Sequence, residues 1–212
     1  MRVPFDQQLV TTGFLDTVND SSPFSVQSLT AGVPSLYTQG VGVIIELDNR
    51  QALMLSSVPA TFALYGGLYQ YVQFKSGSTS SNAKGQLVFW DTLANSGQNN
   101  YVVTPDATST NITQVAGITL GAVSKGNYGW IQIPGGVGGL ATVLAKSSPT
   151  DATIGDIAFV NVAPANTVDF NTEGSITTRQ LSKRIGVAYQ LPVSATATLV
   201  WIQPGGAFVG NE

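Results

Sequence analysis

Histidine and cysteine are both missing from the 212 residues, and charged side chains make up only 10% of them. Without histidine there is no imidazole base, no histidine metal ligand and no Ser-His-Asp triad. Without cysteine there is no thiol nucleophile, no thiolate metal site and no disulfide, and nothing about redox compartment can be read. Ordinary soluble proteins carry roughly 25% charged residues, so the polar surface here must be built from Ser, Thr, Asn, Gln and backbone. Such a surface lacks the like-charge repulsion that keeps proteins apart and suits contacts with a low desolvation cost. The composition favours a protein that assembles, and leaves open a secreted or carbohydrate-binding β protein.

Basic residues are equally scarce: nine against twelve acidic ones, for a net charge of −3. Apart from Arg179, Lys183 and Arg184 they are scattered, so no stripe exists to neutralise a run of phosphates, and no nucleic-acid partner is expected. No membrane partner is expected either, because no apolar run approaches the roughly 18 residues of a spanning helix. The longest candidate, 58–71, contains Pro59, Gly66 and Gly67. The start, Met1-Arg2-Val3-Pro4-Phe5-Asp6, has no apolar core of signal-peptide type, so production without Sec export is expected. The triplets Asn19-Asp20-Ser21 and Asn111-Ile112-Thr113 are read as chance glycosylation matches.

What is present is strand signal. Leu68, Gln70, Val72 and Phe74 alternate with Tyr69, Tyr71 and Gln73, and bulk on both faces predicts a strand covered on both sides. Lys84-Gly85 marks a turn into a second strand, 86–90, and 101–104 is a third, ended by Pro105. Residues 118–123 and 128–133 flank Lys125-Gly126-Asn127, whose Gly-Asn pair supplies the positive φ of a tight hairpin. Further strands are predicted over 41–47, 141–145, 156–162, 185–191 and 197–202. The glycine stretch at 135–139 lacks the order and the following Lys of a phosphate loop and reads as a β-turn or bulge.

Regular short strands separated by Gly, Pro, Asn and Asp predict an all-β fold, a β-barrel or β-sandwich over residues 38–212. No internal repeat is evident. Short helical turns are expected at 50–56 and 178–185. Residues 1–37 differ, being broken by Pro4, Gly13, Pro23, Gly32 and Pro34 with no sustained period, and are read as an irregular N-terminal arm that gains order against a partner, the alternative being long loops over the core. Its apolar groups Phe5, Leu9, Phe14, Phe24, Leu36 and Tyr37 are the candidate assembly contacts.

The close acidic pairs are Glu46 with Asp48, Asp151 with Asp156, and Asp169 with Glu173. Glu46 and Asp48 share a strand face and so have the makings of a glycosidase pair, but Asp48-Asn49-Arg50 reads as the turn closing that strand. Asp151 and Asp169 lie in polar loop-like surroundings without the dense spacing of a calcium loop. No catalytic residue, cofactor or metal is assigned, and no enzyme activity is expected. Trp90, Trp130 and Trp201 each lie in a strand-like segment and are read first as core.

Three stretches resemble phrases of tailed-bacteriophage capsid decoration, or cement, proteins. They are Tyr69-Gln70-Tyr71-Val72-Gln73 with Ala83-Lys84-Gly85-Gln86-Leu87-Val88; Ala116-Gly117-Ile118 with Gly126-Asn127-Tyr128-Gly129-Trp130-Ile131-Gln132; and Ile185-Gly186-Val187-Ala188. The resemblance spans roughly 65–205 and transfers no catalytic residue. It implies a barrel or sandwich bound to the outside of a phage shell, with the major capsid protein and further copies of the chain as partners, commonly in a homotrimer. It equally implies a protein made in the host cytoplasm and carried on the virion. A tail, neck or fibre-associated virion protein is the nearest alternative, and a carbohydrate-binding module the alternative of another class.

Overall fold

A computed structural model describes residues 2–3, 24–27, 37–47, 66–78, 82–91, 101–106, 115–134, 140–145, 153–161, 166–171, 184–189 and 197–202. Among the described residues every regular element is a strand. The chain is all-β, as its alternation and turn residues predict, and its strands form barrels.

The first barrel is organised around β5 (Gly67–Phe74). One edge of β5 is shared: its first half pairs antiparallel with β4 (Ile44–Leu47), its last two residues parallel with β7 (Val102–Thr104). The other edge is covered along its length by β9 (Tyr128–Ile133), from Leu68 opposite Ile133 to Gln73 opposite Tyr128. Pairings of β6 (Leu87–Trp90) with β7 and with β8 (Val115–Thr119), and of β8 with β9, close a five-stranded ring. Closure satisfies backbone groups that an open sheet would leave at its edges. Because paired residues share a face, one parity points inward on all five strands: Val72, Phe74, Val88, Val103, Ala116 and Ile131 form the core. The other parity is buried as well, with Trp130 and Tyr71 packed at 5.2 Å between ring centroids on the outer face. This is why β5 carries bulk on both sides.

β10 (Leu140–Leu144), β11 (Ile157–Asn161), β12 (Thr167–Asn171), β13 (Arg184–Ala188) and β14 (Ala197–Ile202) form a second sheet in the order β10-β14-β13-β11-β12. A single parallel bridge, Ala145 with Val168, joins its two edges. The second barrel repeats the first, strand for strand and register for register. Leu87 opposite Ile118 becomes Ile157 opposite Val187; Tyr71 opposite Trp130 becomes Thr142 opposite Leu199; Ile118 opposite Gln132 becomes Val187 opposite Trp201. The irregularity between Val88 and Phe89 recurs between Ala158 and Phe159. Among the described residues the non-glycine residues with positive φ, Tyr101 (55°) and Asn166 (69°), immediately precede the equivalent strands β7 and β12. The inward parity recurs too: Ala141, Val143, Ala145, Ala158, Val160, Val168, Ile185, Ala188 and Val200 make one cluster.

Two strand expectations are revised. The strand expected over 118–123 is β8, which ends at Thr119 and pairs antiparallel with β9 as the hairpin reading predicts, Ile118 opposite Gln132 and Thr119 opposite Ile131, but the connection is the longer segment 120–127 and not a tight turn at Lys125-Gly126-Asn127. Gly126 has the expected positive φ (86°), but its N–H donates to the Phe74 carbonyl, and the Phe74 N–H donates to the Asn127 carbonyl, so the turn folds onto the end of β5. Residues 120–123 instead run on to Val123, whose N–H and C=O are both bonded by the Asn82 side chain. β12 was not expected at all, and the repeat overturns the reading of a non-repeating chain. The helical turn at 50–56 lies outside the described residues; of 178–185 only Arg184 and Ile185 are described, and they begin β13. Within 1–37 the described elements are β1 (Arg2–Val3), parallel to β4, and β2 (Phe24–Gln27), antiparallel to β3 (Tyr37–Gly40).

Candidate assembly surface

The chain's best-defined interface is the joint between its own two barrels. On the outer face of the first barrel Leu87, Phe89, Val115 and Ile118, all 3% exposed or less, join the interior cluster of the second. Each such side chain contributes on the order of 1.5–3 kcal/mol by leaving water. None carries a charge, so the contact incurs no ion desolvation.

Backbone bonds complete the joint. In the first barrel the Gln73 N–H donates directly to the Tyr101 carbonyl at 3.0 Å, sealing β5 to β7. The equivalent groups of the second barrel belong to Leu144 and Asn166. There the Leu144 N–H donates to the Gly85 carbonyl (2.8 Å), and the Asn166 carbonyl accepts from the Leu87 N–H (2.9 Å). Residues 85–87 of one barrel thus sit in the seam between β10 and β12 of the other. The inserted corner is stiff. Gly85 holds φ at 80°, the Gln86 Oε1 accepts from the Ala83 N–H (2.7 Å), and Thr119 accepts from the Gln86 N–H and donates to the Ala83 carbonyl. β10 presents Ala141 and Ala145 inward where β5 presents Gln70 and Phe74, and those smaller side chains leave room for the inserted face.

The acidic groups serve as local structure. Asp156 accepts from the Thr153 N–H (2.7 Å) and hydroxyl (3.1 Å), tying the turn before β11, and Asp169 accepts from the next residue's N–H (3.0 Å). Glu46 stands on β4 opposite Leu68. Their expected partners Asp48, Asp151 and Glu173 lie outside the described residues. Asp91, 1% exposed, receives the Lys75 ammonium at 3.2 Å. Among the described residues no three His, Cys, Asp or Glu side chains gather as a metal-binding group. A small apolar pocket between the barrels is lined by Leu87, Val115, Gly117, Ile118, Gln132, Pro134 and Ile185.

Of the candidate assembly contacts, Phe5, Leu9, Phe14 and Leu36 lie outside the described residues. Phe24 stands in β2 opposite Gly40, and Tyr37 in β3 opposite Gln27. The joint residues Leu87, Phe89, Val115 and Ile118 escaped sequence reading. Their signal was the second apolar parity of 86–90, where Leu87 and Phe89 alternate with Val88 and Trp90.

No protein-family model matches the chain, and no curated protein matches it. Among solved structures it is similar to the N base of the head fiber protein gp8.5 of bacteriophage phi29, with 13% identity and a TM-score of 0.42, over 64% of this chain and 92% of that one. That likeness is loose.

Proposed function

We propose that the chain is a non-enzymatic structural protein of a tailed-phage virion, a decoration protein that binds the outside of the capsid and bridges neighbouring capsomers. The observation that carries the reading is the joint, whose first-barrel residues Leu87, Phe89, Val115 and Ile118 carry no charge, because there this chain uses the outer face of a small barrel as an adhesive surface. A charge-poor surface extends the same property outward. The cement-protein phrases at 69–73, 83–88, 126–132 and 185–188 fall on β5, on the inserted corner, on β9 with its turn and on β13, the elements that build the barrels and their joint.

Bridging supplies binding free energy that exists only in the assembled shell, and linked copies raise the avidity. A homotrimer contacting the major capsid protein at a local three-fold position satisfies both conditions. No step calls for an active site, a cofactor or a metal. Shells lacking the protein, mixed with purified chain, should bind it saturably and rupture at a higher temperature; shells that neither bind it nor gain stability would refute the proposal.

A further inference from the structure

We draw no further inference here: the strongest candidate, the surface corner of the second barrel where Ile154 and Tyr189 are exposed, carries none, because nothing in the structure shows what covers it.

Discussion

Replacing Trp130 by alanine is the sharpest probe of the first barrel. The ring is 1% exposed and packs at 5.2 Å and a 49° tilt against Tyr71, which itself stacks on Tyr128 at 6.1 Å. Truncating a buried aromatic costs about 3–5 kcal/mol, of which the aromatic pair accounts for roughly 0.5–1.5. That is a large share of the roughly 5–15 kcal/mol by which a whole domain is stable. Because residues 85–87 are wedged into the second barrel, loosening the first should also weaken the second. The assay is urea unfolding followed by far-UV circular dichroism, with Trp130→Phe as the partner variant. The alanine variant should unfold at much lower denaturant, in one transition, and the phenylalanine variant in between. An unchanged midpoint would refute the placement of the ring. A normal second transition after early loss of the first would refute the mechanical coupling of the barrels.

Gly117→Ala should cost about 1–3 kcal/mol, since its Cβ would lie 2.5 Å from the Gln132 backbone carbonyl oxygen, which cannot yield as a side chain does; thermal unfolding checks this. Lys75→Met should destabilise more than Asp91→Asn. The first strands a carboxylate that is 1% exposed, while the second leaves an ammonium that is 29% exposed and can be rehydrated. The cost of Lys75→Met should fall at or below the low end of ~3–5 kcal/mol, because the lysine end is screened by water. Equal midpoints for the two variants would contradict that reasoning.

Strand content was legible because most strands announce their burial. β9 and β14 match their sequence boundaries, and β5 differs by one residue, for each combines β-branched or aromatic residues with clear punctuation. β8 was misplaced because a glycine weakens strand signal, yet Gly117 sits inside the strand, where the backbone of β9 comes close. β12, Thr167-Val168-Asp169-Phe170-Asn171, shows three polar residues and two apolar ones, and its inward pair is too sparse a signal by itself. The duplication was hidden for two reasons. Loops of unequal length change the spacing between equivalent residues from strand to strand, and identities are few and scattered, among them Gly85 with Gly155, Phe89 with Phe159, Val103 with Val168 and Gly117 with Gly186. The one conspicuous likeness, Trp130-Ile131-Gln132 with Trp201-Ile202-Gln203, misleads by two residues, since the register puts Leu199 in the place of Trp130. As for the joint, the second apolar parity at Leu87 and Phe89 was visible, but that it faces another barrel follows from tertiary placement.

The central claim, that this chain decorates a phage shell, is tested most directly by imaging purified virions with the protein labelled and its copies counted. The account predicts many copies spread over the outer surface of the head, related by the local symmetry of the shell. A few copies in a ring at the neck or tail, or none on the particle, would contradict it.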